Sequence, residues 1–432
     1  MLFLLCSFEG PDRYSQAGGL GVRIAELSRA LAENGHETHL YFIGDPNKPA
    51  EEHLLGNKLI YHRWCQWISR YHPHGVYDGE EGKLQDYTVS LPKALIDNYI
   101  IPALSRGRSI VVMAEEWHTV PMLLSLSELL KEAGIRDKVV ILWNANNIFG
   151  FDRIPWNKLV QECTITTVSR FMKHLMWSEG VDPLVIPNGI PTYWCKNISK
   201  KSLDSFSVLL ENRLSMAKVG RFDPDKRWLM AVESVALLKQ HNLAPLLIFR
   251  GGMEPHGQEV RNRAKLLDLR IEQVHWERLS TVEQCLEALK PAILSGAELI
   301  ELASFMPIEF MRLLYHGVDA VLAASGREPF GLVGLEVMGS GGLAVTGSTG
   351  EDYAIPYQNA IVIETDKPEE LAHGLELIKN SSELAASLRK EGKQTAKNFQ
   401  WGKVINILME KISFAAFLQN VKFTDKRTEN FK

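Results

Sequence analysis

Ser15-Gln-Ala-Gly-Gly-Leu-Gly21 sets consecutive glycines between a short apolar run and an amphipathic stretch. Backbone N–H groups in such a loop approach an anion at a helix N-terminus, where the dipole favours negative charge. The spacing is not GxGxxG, so a dinucleotide fingerprint has no support, and a tight turn without a ligand is the plain alternative. Further on, Lys218-Val-Gly-Arg-Phe-Asp-Pro-Asp-Lys-Arg227 places Arg221 and Lys226 on a loop leaving a short strand. Two fixed cations there suit a diphosphate leaving group, although such side chains on a turn are ordinarily just solvated. The third stretch is Ala324-Ser-Gly-Arg-Glu328-Pro-Phe-Gly-Leu-Val-Gly-Leu-Glu336. A strand at 320–323 delivers Glu328 to its carboxyl end, and a helix opening near Phe330, Gly331 and Leu332 leaves N–H groups of Gly331 and Leu332 without intrahelical acceptors. Glu336 falls about one turn into that helix. Carboxylates only accept hydrogen bonds and carry several lone pairs, so they pair naturally with vicinal diols: Glu328 with a sugar hydroxyl, Glu336 with a ribose.

These residues need a frame to hold them. Apolar runs at 2–7, 38–43, 109–114, 138–143, 164–168 and 184–187 read as strands, alternating with helical stretches from Leu20, at 119–133 and at 170–179. Leu20, Ile24, Leu27 and Leu31 share one helical face, and Asn34-Gly35 ends it. The periodicity lapses between 188 and 217, the expected domain boundary. It resumes with strands at 216–219, 246–250, 272–274, 320–323, 343–346 and 360–363, separated by helices at 228–238 and 257–267 and followed by helices at 368–379, 382–399 and 403–418. A helical insertion is expected within 282–305. Alternation of this kind implies parallel strands covered on both faces, and two such domains in tandem imply a ligand in a cleft between them. The expected division is 1–195, 210–400, a returning helix at 401–420 and a charged, fraying tail at 421–432.

The chain has 432 residues, 45% of them hydrophobic and 23% charged, which supports sizeable cores and excludes wholesale disorder. Lys and Arg total 48 against 52 Asp and Glu, a balance without the basic excess of a nucleic-acid or anionic-membrane binder. Cys6, Cys65, Cys163, Cys195 and Cys285 are scattered and form no CxxC pair, so they read as thiols of a reducing compartment. No run reaches the roughly 18 apolar residues of a membrane span. A cytoplasmic protein needing no membrane contact is expected. Tyr61, Trp64, Trp67, Tyr71 and Tyr77 could stack on a sugar, with packing as the plain alternative, while His62, His72 and His74 lack the spacing of a metal site.

The Glu-Pro-Phe-Gly-Leu-x-x-Leu-Glu stretch, with seven residues between Glu328 and Glu336, resembles the Glu-x7-Glu signature of retaining GT-B glycosyltransferases. That is the large family four that includes glycogen and sucrose synthases. Gly18-Gly19-Leu20 resembles its glycine loop, Glu116-Trp-His-Thr119 its Asp-Trp-His stretch, and Thr167-Val-Ser169 and Ile186-Pro-Asn-Gly189 its interdomain segments. Gly220-Arg221 with Lys226 matches its phosphate clamp, and Thr349-Gly-Glu-Asp352 stands where its donor loop is expected. The resemblance spans roughly residues 1–400. It departs at Gln16, where glycogen synthases carry Lys, at Glu115, where they carry His, and at Asn146-Asn147, where they carry His-Asn.

The resemblance implies an α/β chain of GT-B fold: two Rossmann-like doubly wound domains, an intervening cleft and a C-terminal crossover helix. It implies transfer of a glucosyl or mannosyl group, with retention, from a nucleotide diphosphate sugar to a hydroxyl of a sugar, glycoside or glycan. Arg221, Lys226 and Glu328 would be catalytic. Gly18, Gly19, Leu20, Glu115, Phe330, Gly331, Leu332 and Glu336 would bind substrate. Neither a metal nor another cofactor is implied. Two alternatives stay open: a sugar-nucleotide epimerase using Glu115 and Glu116 as acid and base, and a non-catalytic nucleotide-sugar-binding subunit.

Overall fold

β1 (Leu2–Cys6) is buried along its whole length, as a strand covered on both faces of a parallel sheet must be. In this computed structural model, which describes residues 1–422, β1 lies inside the first of two units. The strands that join it are β2 (Glu37–Ile43), β3 (Glu51–Leu54), β4 (Leu59–Trp64), β5 (Ile110–Glu115), β6 (Val139–Ala145), β7 (Thr164–Thr167) and β8 (Leu184–Val185). Their order is β3-β4-β2-β1-β5-β6-β7-β8, with β3 alone antiparallel. From β1 the chain winds out through β2 and β4, returns, and continues from β5 on the other side. The direction of winding therefore reverses between β1 and β5.

The first unit ends at Gly189 and regains the chain at Trp401. Helix Trp401–Leu418 places Val404, Leu408, Ile412 and Ala415 on one stripe, all buried in the same core as Leu27 and Leu31 of helix Gly19–Glu33. The Trp401 indole also donates to Glu26 Oε2 at 3.1 Å. Val421 is buried in this core, so order extends past the expected start of the fraying tail; residues 423–432 lie outside the described residues.

The second unit, Ile190–Gln400, holds β9 (Leu214–Val219), β10 (Pro245–Arg250), β11 (Ile271–Val274), β12 (Leu299–Leu302), β13 (Ala320–Leu322), β14 (Ala344–Thr346) and β15 (Ile361–Val362). All pair in parallel in the order β11-β12-β10-β9-β13-β14-β15, and the winding reverses between β9 and β13. Two segments differ from expectation. The polar stretch 188–217 contains helix Lys200–Leu210, whose Phe206 is fully buried. The segment 282–305 is no insertion: helix Val282–Leu294 leads into β12, which pairs with both β10 and β11. Glu301 hides this strand from its sequence. Its buried carboxylate is held by Arg261 at 2.9 and 2.5 Å and by Gln273 at 3.0 Å, so a charge sits in an interior strand.

Candidate functional site

Doubly wound sheets bind ligands outside the carboxyl ends of their strands, where the winding reverses. In the second unit that point is flanked by the loops leaving β9 and β13. The first carries Arg221, which is exposed, and Lys226, in a turn over Pro224–Lys226. The second carries Glu328. Lys226 and Glu328 form an ion pair, and Ser325 Oγ donates to Glu328 Oε2 at 3.1 Å. The two loops are also stitched through backbone: Arg327 N–H donates to Asp225 Oδ1 at 3.0 Å and Gly326 N–H to the Asp225 carbonyl at 2.8 Å. Beneath them lies Lys218, whose Nζ donates to the Leu322 carbonyl at 3.1 Å and sits 5.2 Å from the Trp228 ring. Burial, then the charges of Lys226 and Arg227, pushes its ammonium down to about 7.

Helix Leu332–Ser340 starts from Gly331, whose φ of 80° is left-handed and favours glycine. A Cβ there would also meet Glu351 Cγ at 2.5 Å. The loop 347–351 clasps the Glu328 segment: Gly350 N–H donates to the Glu328 carbonyl at 2.8 Å, and Glu328 N–H donates to Thr349 Oγ1 at 2.9 Å. The buried Glu351 carboxylate accepts from Gly347 N–H and Thr349 N–H, both at 3.2 Å, and burial followed by the charge of Glu328 raises it to about 7. Phe330 is buried, packing on Tyr353 and Phe399, so only its backbone is placed to meet a ligand. Glu336 is half-buried on the first turn and a half of the helix.

In the first unit the reversal point is flanked by the loop after β1 and the end of β5. The glycine loop is partly spoken for. Glu9 Oε2 accepts from the N–H groups of Ala17 at 3.1 Å, Gly18 at 3.0 Å and Gly21 at 3.1 Å, which places a carboxylate at the N-terminus of helix Gly19–Glu33. Gly19 and Leu20, the first two residues of that helix, lie between those anchors, and their N–H groups have no intrahelical acceptor. Glu9 drew no notice in the sequence because its ligands are backbone groups eight to twelve residues away.

Glu115 lies at the other flank of this reversal point. It is wholly buried at the end of β5, ion-paired with Arg23 at 3.3 Å, and accepts from Asn144 Nδ2 at 2.9 Å and Asn146 Nδ2 at 2.7 Å. Arg23 continues to Asn188 Oδ1. Three side chains inside the unit thus hold this carboxylate. Neighbouring Glu116 adopts φ 66° and ψ 167°, a strained region for a residue with a side chain. Its carboxyl accepts from Asn146 N–H at 2.6 Å, yet burial, then the charge of Glu115, raises it from 4.5 to about 8. The folded chain thus keeps a proton that the unfolded chain releases, so stability falls as pH rises from about 4.5 to 8 and levels above that. Glu26 and Glu351, each raised to about 7, contribute below pH 7. Glu116→Gln is expected to flatten the slope between pH 7 and 8 in denaturant titrations; superimposable wild-type and variant slopes there would refute the assignment.

The aromatic stretch divides. Tyr61 is buried against Phe42, and His62 stacks on Tyr41 at 4.3 Å with its Nε2 2.9 Å from His39 Nδ1. Trp67 and Tyr71 are 62% and 80% exposed and so are the rings open to a ligand, together with Tyr77 at 40%. Among the described residues no three His, Cys, Asp or Glu side chains gather as a metal site. No helix among them is long and apolar enough to cross a membrane.

Residues 296–395, which include Glu328, Glu336 and the clasping loop, match the family model of glycosyl transferases group 1. No curated protein sequence matches the chain significantly. Among solved structures, sucrose-phosphate synthase from Thermosynechococcus elongatus superposes with a TM-score of 0.66 at 16% identity, covering 96% of this chain and 99% of that one. The catalytic domain of starch synthase IV from Arabidopsis thaliana, bound to ADP and acarbose, gives 0.68 at 13% identity, with coverage of 96% and 99%. Anabaena HepE in complex with UDP gives 0.63 at 12%, with coverage of 96% and 100%. The chain has the GT-B fold, and the stretch of its second unit that matches the glycosyl transferases group 1 model is residues 296–395.

Proposed function

We propose that this glycosyltransferase moves a glucosyl or mannosyl group, with retention, from a nucleotide diphosphate sugar to a hydroxyl of a sugar, glycoside or glycan. The observation that carries the reading is the pairing of Lys226 with Glu328 where the winding reverses between β9 and β13. It sets a cation for a leaving phosphate beside a carboxylate for a sugar hydroxyl. The relatives point the same way: starch synthase IV is bound to ADP and acarbose, and HepE to UDP and glucose.

In this reading Arg221 and Lys226 hold the diphosphate and stabilise the charge that grows on it as the glycosidic bond breaks. Glu328 and the backbone of Phe330, Gly331 and Leu332 orient the sugar, and Glu336 takes the ribose. Gly19 and Leu20, whose N–H groups Glu9 leaves open, supply them to the phosphates, and Gly18 shapes the loop that presents them. The chemistry asks for leaving-group stabilisation and positioning, and no cofactor beyond the donor. Activity in the cytoplasm on soluble acceptors fits this chemistry.

A thermal-shift screen of UDP, ADP, GDP and their glucose and mannose conjugates tests the reading. A ligand at about 100 times its Kd adds roughly 2.7 kcal/mol of stability. One base is expected to shift the melting temperature clearly. Glu336→Ala should weaken that ligand by about 10- to 100-fold, the worth of a hydrogen bond to a charged group. No shift with any nucleotide would favour a chain that has lost the donor site.

A further inference from the structure

Glu9 has two oxygens with different employers. Oε2 holds the glycine loop through Ala17, Gly18 and Gly21, while Oε1 accepts from the Tyr77 phenol at 2.7 Å. Burial and the Glu9 charge both push the Tyr77 phenol up, so it keeps its proton and donates. Its ring is fixed separately, stacking on Phe8 at 6.1 Å and lying 5.5 Å from His118.

Tyr77 belongs to a segment held in place by Lys83. The fully buried Lys83 Nζ donates to the Gly75 carbonyl at 3.0 Å, the Val76 carbonyl at 3.2 Å and the Tyr14 phenol at 2.7 Å. Tyr14 in turn donates to the His72 carbonyl at 2.6 Å. Between this braced segment and the glycine loop lies a pocket of about 510 Å³. Arg13, Gln16 and Ala17 line one side of it, and His74, Tyr77 and Asp78 the other. Its lining mixes cation, anion, amide and imidazole, which suits a small polyhydroxylated molecule better than an apolar one.

We propose that Glu9 and Tyr77 are positioning residues that couple this pocket to the glycine loop, so that a polyhydroxylated acceptor filling the pocket stiffens the loop for the donor phosphates. The carboxylate is planar and rigid, so Oε1 and Oε2 move together. An occupant that holds Tyr77 against Glu9 therefore holds three loop N–H groups as well. The inference rests on the reading of the glycine loop as a phosphate contact, but its mechanical part can be measured without that reading.

Amide hydrogen exchange across residues 15–22 is measured for the wild-type chain, Tyr77→Phe and Glu9→Gln. Tyr77→Phe keeps the ring and its stacking and removes one hydrogen bond to a charged group. It is expected to speed exchange of the Ala17, Gly18 and Gly21 amides by about tenfold or more, leaving the rest of helix Gly19–Glu33 unchanged. Glu9→Gln should do so more strongly. With glucose or glucose 6-phosphate as the pocket probe, exchange in 15–22 should slow in the wild type and not in Tyr77→Phe. In calorimetry with UDP, ADP and GDP, Tyr77→Phe should weaken the preferred nucleotide by about 3- to 10-fold. Unchanged exchange in Tyr77→Phe, or equal slowing by the probe in both proteins, would overturn the coupling. Failure of every nucleotide to bind the wild type would instead strike the donor-site reading, and the exchange results would still decide the coupling.

Discussion

Lys226→Ala is expected to lower kcat by about 10²- to 10³-fold, the usual loss when one fixed donor to a developing negative charge is removed. Two effects compete for the explanation of this residue. As a partly exposed ion pair with Glu328 it would contribute about 0–1 kcal/mol, and its loss would barely register. As a clamp on the leaving diphosphate it acts on a charge that grows during the reaction, so kcat falls much further than donor affinity. The cycle of Lys226→Ala, Glu328→Gln and the double variant separates them. If the pair is only structural, neither single variant loses more than a few-fold. If each residue meets the substrate, Glu328→Gln loses sugar positioning and the two losses are not additive, because each side chain orients the other. Wild-type turnover in Lys226→Ala would sink the clamp.

That cycle targets what the sequence displayed most openly. Strands β9 and β13 are short apolar runs leading into Gly220-Arg221 and Ala324-Ser-Gly, and the segments after them display Arg221, Lys226, Glu328 and Glu336 at fixed spacing. A local signal of that kind survives without knowledge of the fold. The reversal between β9 and β13, which brings Lys226 to Glu328 across 102 residues, is a property of strand order and is not written in either loop. β12 was missed for a different reason: Glu301 in an interior strand is tolerable only because Arg261 reaches it from another element. β4 escaped because Tyr61, His62 and Trp64 read as an aromatic patch, whereas in the strand Tyr61 faces the core against Phe42; β3, Glu-Glu-His-Leu with Glu51 and His53 exposed, has no apolar run to read. Glu9 had no signal at all, since an acidic residue after a strand acquires meaning only when a loop folds back onto it.

Glu115 is where local reading and tertiary structure diverge most, and the second large effect follows from it. Read beside Trp117 and His118, it looks like a substitute for a ligand of the donor sugar. In the fold it neutralises Arg23, which is 3% exposed and has Asn188 as its other side-chain partner. Removing one member of a buried ion pair leaves the other desolvated and uncompensated, at a cost of about 3–5 kcal/mol. Glu115→Ala should therefore lower the melting temperature by roughly 10 °C, taking about 2–4 °C per kcal/mol for a unit of this size. Glu115→Gln, which keeps the volume and one acceptor for the Asn144 and Asn146 amides, should lose less. Arg23→Met in the Glu115→Ala background removes the stranded cation and should recover part of the loss, an effect no substrate contact would produce. A residue that merely held a sugar hydroxyl would show the opposite pattern: an unchanged melting temperature, a raised KM for the donor and no rescue by Arg23→Met. Because Arg23 lies on helix Gly19–Glu33, the same ion pair also anchors the helix whose N-terminus carries the glycine loop. Glu115 then affects turnover through the scaffold: in the Glu115→Gln protein, any kinetic defect should shrink on cooling as the native state regains population.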